Sequence, residues 1–216
     1  ISATEKNAQA HEARGATVVW AGDTSSNTLL GWFAVADQPR QTSIDAIARL
    51  QSNSVATIML TGDNHHTAHA VAARVGIRDI VAEVLPKGKV DRVIALQRDG
   101  HTVAMVGDGI NDALALATAD VGIAMGSGTD VAITSADVTL MRPDLHLVPD
   151  AIDISKATVR KIRQNLFWAF AYNLVALPLA MLGVLTPVIA GAAMAMSSVS
   201  VVTNALTLKG WRPSAL

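Results

Sequence analysis

The sequence predicts a doubly wound α/β domain that runs on into two membrane-spanning helices. Three observations carry this expectation. Apolar runs alternate with amphipathic stretches through the first two thirds of the chain, as successive βαβ units require. The apolar run Val103 to Val106 stops abruptly at Gly107-Asp108-Gly109, and Asn111-Asp112 follows. From Leu166 to Leu208 there is no Asp, Glu, Lys or Arg.

Composition narrows the field. The chain has 216 residues, 50% of them hydrophobic and 16% charged, with a net charge of -1. That length accommodates one buried core of roughly 150 residues and a further part. The near-neutral balance and 4% aromatic content speak against a nucleic-acid surface. Without cysteine, neither a disulfide framework nor a thiolate metal site can form. The chain opens at Ile1 rather than Met and carries no signal peptide; we expect a piece of something longer.

Residues 1–16 are polar and alanine-rich, suited to a short helix. Thr17 to Trp20 and Leu29 to Val35 read as strands flanking the turn signal Gly22 to Asn27. Asp37-Gln38-Pro39-Arg40 breaks the chain before an amphipathic helix with Ile44, Ile47, Ala48 and Leu50 on one face. Val55 to Leu60 is a continuous apolar run, expected for a parallel strand buried on both faces. It ends at Thr61-Gly62-Asp63, and a helix from about Asn64 to Val75 follows. Ile80 to Val84 is a further strand, and Lys87 to Gln97 a helix with Val90, Val93, Ile94 and Gln97 in line. After the strand into Gly107 come a helix from Asn111 and strands at Val121 to Ala124 and Val138 to Leu140.

Leu145 to Asn165 reads as one long helix carrying Lys156, Arg160, Lys161 and Arg163. It passes into Leu166 to Leu185, an uncharged run of bilayer-spanning length. Thr186-Pro187 marks a turn, and Val188 to Leu208 supplies a second span before Lys209 and Arg212. Basic residues flank both outer ends, which places both on the cytoplasmic side. The competing reading is a hairpin buried in a soluble core. The expected divisions are 1–150 for the α/β domain, 151–165 for a linker helix, 166–210 for the two spans and 211–216 for a tail.

The strand ends carry the chemistry. Asp108 and Asp112 offer the hard oxygens that Mg2+ prefers, although Gly-Asp-Gly alone equally suits a helix N-cap. The Thr61 hydroxyl and nearby backbone N–H groups can hold a phosphoryl oxygen. Lys89, early in its helix, can neutralise phosphate as a point charge, or be a solvated lysine. Together they suit a loose phosphoryl-transfer transition state, which needs positioning and charge neutralisation.

GDGINDALALATADVGIAMGSGTD, with MLTGDN at Met59 to Asn64, resembles the phosphorylation domain of P-type ATPases, which has a haloacid-dehalogenase-like, Rossmann-type fold. The resemblance covers nearly the whole chain; one departure is Leu114, where the family commonly has Pro. It implies that Asp108 ligates Mg2+, that Asn111 and Asp112 support the site, and that Lys89, Thr61 and Gly62 face the phosphoryl group. Asp63 would lie toward nucleotide or hinge. The family's nucleophile, the Asp of Asp-Lys-Thr-Gly-Thr, does not occur in this sequence. The domain is therefore expected to be incomplete and inactive alone, with the nucleophile and the ATP-binding domain upstream.

The transported ion is read from the two apolar stretches. Polar groups there are costly and face the bundle interior. Met194 and Ser198 share a helical face, and a thioether is a soft ligand suited to Cu(I). Met as bilayer filler and Ser as a helix-contact residue are the alternatives. Tyr172-Asn173 and Met194-x-x-Ser197-Ser198 resemble the copper(I)-transporting branch, with Ag(I) as a substitute, whereas zinc exporters carry Lys and Asp in these helices. The resemblance implies an ATP-driven exporter in the cell membrane with its phosphorylation domain in the cytoplasm. Its partners would be the lipid bilayer, the upstream part of the transporter and a copper chaperone.

His65, His66 and His69 include an i, i+4 pair, but lack an obvious carboxylate partner and read as surface residues. Gly126-Ser127-Gly128 reads as a tight connection near the site. Two other functions compete: a membrane-tethered phosphatase using Asp23 or Asp37 as nucleophile, and a non-catalytic half-transporter module.

Overall fold

The computed structural model describes residues 3–12, 16–35, 38–126, 129–184 and 186–212. The chain divides into two compact units, Ile1–Val148 and Pro149–Leu216. The first opens with α1 (Ala3–Glu12) and an antiparallel hairpin of β1 (Thr17–Asp23) and β2 (Thr28–Val35). Asp23 closes the hairpin, accepting from Ser25 N at 2.8 Å and Ser26 Oγ at 2.6 Å. The serine hydroxyls hold its carboxyl far below the usual range. Asp23 is thus a turn residue on an exposed antiparallel hairpin, not a carboxylate at a buried strand end. Asp37 lies outside the described residues.

Helix α2 (Gln41–Ser52) buries Ala46, Ile47, Arg49 and Leu50. Ala48, expected on that face, is exposed; Ala46 and Arg49 flank Ile47 and Leu50 at helical spacing instead. Next come β3 (Ile58–Leu60), α3 (His65–Val75), β4 (Asp79–Val81) and α4 (Pro86–Arg98). Asn64 caps α3 by accepting from Thr67 N at 2.9 Å, and Gly76, at φ 78°, ends it. Pro86 opens α4, where its missing N–H costs nothing. Then follow β5 (Ala104–Gly107), a 3-10 turn Ile110–Asp112, α5 (Ala113–Thr118), β6 (Val121–Met125), α6 (Asp130–Thr134) and β7 (Val138–Leu140).

The expected alternation of strands and helices is present in an incomplete α/β domain, with the strands paired in separate ladders. Among the described residues β3 pairs only with β4, and β5, β6 and β7 form a separate parallel sheet. No described segment lies between β3 and β5 to join them. β3 is also shorter than the apolar run suggests, because Val55 N bonds to Leu50 O and remains part of the helix exit. With one neighbour, its residues are half-buried rather than buried on both faces. Leu60 nevertheless packs with Val90 against Met105, Ala115, Leu116 and Ala132, so both sheets share one core.

The second unit is helical. α7 (Leu147–Met181) runs from the charged segment into the apolar one without interruption, so the linker and the first apolar stretch are one helix. It ends where Gly183 adopts φ 70°, a left-handed conformation that glycine accepts without strain. α8 (Pro187–Leu206) starts at the Thr186 cap, which accepts from Ile189 N at 3.3 Å, and continues as a 3-10 turn Thr207–Gly210. Among the described residues one helical stretch, Pro187–Gly210, is long and apolar enough to cross a membrane. The uncharged part of α7 stops at Met181, short of the ~20 residues of an ideal span. The expectation of two full spans is therefore met by length in one helix.

Candidate functional site

Three loops at strand C-termini build the site in the α/β unit. At the end of β5, Gly107 carries no Cβ; one placed there would stand 2.7 Å from Asp112 Cβ. This close approach lets the 3-10 turn fold Asp112 over the strand end. Asp112 is 9% exposed and its Oδ1 lies 2.6 Å from Lys89 Nζ. Lys89 sits in the first turn of α4, so the pair bridges two elements that sequence spacing keeps 23 residues apart. An ion pair this enclosed is held in a low-dielectric setting, where one partner left alone is costly.

Asp108 is exposed one residue beyond β5, and its carbonyl accepts from Thr129 N at 3.1 Å. The loop before α6 is thereby tied to the carboxylate-bearing turn. Of the tight connection expected at Gly126-Ser127-Gly128, Ser127 and Gly128 lie outside the described residues. Asn111 is exposed beside Asp112.

The loop after β3 is a third component. Thr61 Oγ1 donates to Asp63 Oδ2 at 3.0 Å and accepts from Asp63 N at 3.1 Å, so Gly62 sits at the apex of a self-bonded turn. Thr61 N donates to Val81 O, and Thr61 O accepts from Val84 N, both at 3.0 Å. Val84 immediately precedes the α4 N-cap, Leu85, so this loop and Lys89 spring from adjoining backbone. Among the described residues no hydrogen bond joins Thr61 or Asp63 to the Lys89–Asp112 pair. The structure thus brings Lys89 and Asp112 into contact, with Asp108 and Asn111 on the same turn and Thr61 to Asp63 on a tethered neighbouring loop.

The donor set fits a Mg2+–phosphate site rather than an all-protein cage. The described residues contain no group of three or more His, Cys, Asp or Glu side chains placed to hold a metal. Mg2+ is commonly held by one or two carboxylates plus phosphate oxygens and waters, and Asp108 and Asp112 supply that number. His65 and His69 stack at 6.5 Å between centroids on the exposed face of α3, in keeping with the surface reading.

In the helical unit, Tyr172 is half-buried whereas Asn173, Met194 and Ser198 are exposed. Asn173 Nδ2 donates to Ala169 O at 2.8 Å and Ser198 Oγ to Met194 O at 3.1 Å, each within its own helix. Met194 is 72% exposed. Met194 and Ser198 share a face one turn apart, as their spacing predicts, and among the described residues no hydrogen bond or ring contact links either to Tyr172 or Asn173. A feature the sequence reading missed lies nearer the charged end. Asn204 of α8 accepts from Lys161 Nζ at 2.9 Å and donates to Asn165 Oδ1 at 2.7 Å. Its signal was an Asn at the charged end of each apolar stretch.

A family model for haloacid dehalogenase-like hydrolases matches residues 2–120. The chain is 52% identical over 209 residues to a copper-exporting P-type ATPase of Staphylococcus haemolyticus, a match covering 97% of this chain and 26% of that protein. It is 56% identical over 185 residues to a copper-exporting P-type ATPase of Staphylococcus aureus, covering 86% of this chain and 23% of the other. A crystal structure of a zinc-transporting PIB-type ATPase in the E2.Pi state is similar at a TM-score of 0.83 and 37% identity. That match covers 95% of this chain and 34% of the zinc transporter chain. The chain spans about a quarter of the length of the curated relatives it matches.

Proposed function

The chain belongs to the haloacid dehalogenase-like hydrolase family, and on that premise we propose that it is the phosphoryl-handling and C-terminal membrane portion of an ATP-driven Cu(I) exporter. The observation that carries this reading is the Lys89–Asp112 pair beside Asp108, in one chain with an uncharged hairpin bearing Met194 and Ser198. The similarity to copper-exporting P-type ATPases over most of the chain supports it.

In this reading the phosphoryl group sits on an aspartate outside these residues, since Asp-Lys-Thr-Gly-Thr is not in the sequence. Lys89 places its ammonium against the equatorial phosphoryl oxygens, and Asp112 holds that ammonium in position. Thr61 Oγ1 turns from Asp63 to donate to a phosphoryl oxygen. Asp108 and Asp112 would hold Mg2+, which supplies charge neutralisation to a transfer governed by electrostatics and positioning. ATP binds on the part of the transporter that this chain does not include. Alone, the 216 residues are inactive.

Cu(I) is the cargo because the uncharged stretch offers a thioether, hydroxyls and a carboxamide, a donor set too soft and too neutral for hard hydrated cations. Asn173, Met194 and Ser198 face outward in the hairpin, where further helices of the transporter would pack and complete a site with Tyr172. The reading places the chain in the cell membrane, with its α/β unit in the cytoplasm, and makes a copper chaperone its delivery partner.

The test joins this chain to a segment carrying the nucleophile and the nucleotide-binding domain, then measures ATPase activity with Cu(I), Zn2+ or no metal. Cu(I)-stimulated turnover that is lost in Asp108→Asn and in Met194→Ala supports both halves. Stimulation by Zn2+ alone, or activity indifferent to Met194→Ala, removes the copper assignment and leaves the phosphoryl site standing.

A further inference from the structure

Along α7, Lys156, Arg160 and Arg163 recur at i, i+4 and i+7 and so lie on one helical face. With Phe167 and Trp168 they line an open groove of about 570 Å3. All five side chains are exposed, and the three cations make no hydrogen bond or ion pair among the described residues. The nearest acid on the helix, Asp153, precedes Lys156 by three residues.

The position of this face along the helix decides what covers it. At about 1.5 Å per residue, Arg163 stands ~4–5 Å and Arg160 ~9 Å from the start of the uncharged run at Leu166. The polar layer of a bilayer leaflet is about 5–8 Å thick. Arg163 therefore falls at the depth of lipid phosphates and Arg160 at the outer edge of that layer, with Lys156 about a turn farther out in the surface potential. Phe167 and Trp168 fall at the apolar boundary, where aromatic rings settle. The second helix adds charge at the same level. Asn204 bonds to Asn165, so Lys209, five residues beyond Asn204, stands level with Arg160, five residues before Asn165. Lys209 and Arg212 are exposed as well.

Resting on the membrane reading above, we infer that this face of α7, with the end of α8, is a docking surface for anionic phospholipid headgroups. Each guanidinium takes a lipid phosphate through paired N–H donors, while the rings of Phe167 and Trp168 lie against the upper acyl chains. The site selects anionic over zwitterionic lipid, because a choline headgroup would bring a cation against Arg160.

The experiment reconstitutes the full chain in phosphatidylcholine vesicles containing trace spin-labelled phosphatidylglycerol or spin-labelled phosphatidylcholine. The fraction of motionally restricted label is read by electron paramagnetic resonance. The anionic label is expected to associate roughly fivefold more tightly than the choline label, about 1 kcal/mol. The preference falls toward unity in K156Q/R160Q/R163Q and at high salt, and survives in R160K/R163K. Equal association of the two labels, or a preference unchanged in the triple variant, overturns the inference. So does displacement of the label by excess inorganic phosphate, which would mark a site for the free ion. Alkaline extraction of the same vesicles separates the two readings. A chain washed off the membrane overturns the membrane reading and this inference together, whereas an inserted chain without selectivity overturns this inference alone.

Discussion

Asn204 on α8 donates to Asn165 on α7 at 2.7 Å while accepting from Lys161 of the same helix at 2.9 Å, so one carboxamide uses both its ends to hold α8 to α7. Gln164 Oε1 stands at 3.4 Å from the same nitrogen. This clasp sits at the charged end of the hairpin, where water competes less than on an open surface. We expect Lys161→Met and Asn204→Leu to be coupled, with an interaction energy of about 0.5–1.5 kcal/mol in a double-mutant cycle. Unfolding of the chain in mixed micelles measures it. Additive effects would make the clasp incidental.

Lys89→Met removes the cation from Asp112, whose side chain is 12% exposed. The stranded carboxylate should destabilise the α/β unit by about 1–3 kcal/mol. Asp112→Asn in the same background should recover part of the loss, because the buried charge disappears. Urea midpoints for the two single variants and the double variant test this. A double variant no more stable than Lys89→Met would show that the charge is not the cause.

Two glycines at close approaches should not tolerate a methyl group. A Cβ on Gly122 would lie 2.6 Å from Leu116 O, and one on Gly107 would lie 2.7 Å from Asp112 Cβ. Gly122→Ala should cost about 1–3 kcal/mol through overpacking at the α5–β6 contact. Gly107→Ala should in addition push Asp112 off Lys89, so its effect should shrink when Lys89→Met is already present. Thermal denaturation of the three variants decides between simple crowding and loss of the pair.

Acid should loosen the entry to β6 through one carboxylate. Asp120 accepts from Val103 N at 2.8 Å, and that bond, with Gln97 second, holds its carboxyl below the ordinary value. A depressed folded-state value means stability that is present above about pH 4 and lost as the pH falls through the lowered value. Asp120→Asn should therefore flatten the acid limb of a plot of urea midpoint against pH below about 4. Parallel acid limbs for the two proteins would assign the acid sensitivity to other groups.

Local patterns read well from the sequence, and contacts between distant segments did not. The end of β5 was visible because an apolar run stops at Gly107-Asp108, and the α3 cap because Asn64 follows Thr61-Gly62-Asp63. Lys89 and Asp112 could each be nominated, but their contact depends on where α4 lies beside the 3-10 turn, which no periodicity encodes. The length of β3 was overestimated because apolar character does not reveal that Val55 still bonds backward to Leu50. Alternation likewise counts strands without showing which edges pair, so the separation of the β3–β4 and β5–β6–β7 ladders is not written in it. α6 is short and was not foreseen. The Asn204 clasp has no periodic signature, because a lone Asn in an apolar stretch suits a cargo ligand as well as a tie between helices.

The unbroken course of α7 turns it into a lever. A helix of 35 residues is about 52 Å long, and as far as Pro178, which has no N–H to donate, its hydrogen-bond ladder resists bending far better than a loop would. With Leu147 as the pivot, Tyr172 lies about 37 Å along the arm. A tilt of about 10° at the pivot sweeps Tyr172 sideways by about 6–7 Å, more than one helical turn of rise. Small rotations of the charged end thus arrive magnified at the apolar end, without any intermediate contact having to rearrange.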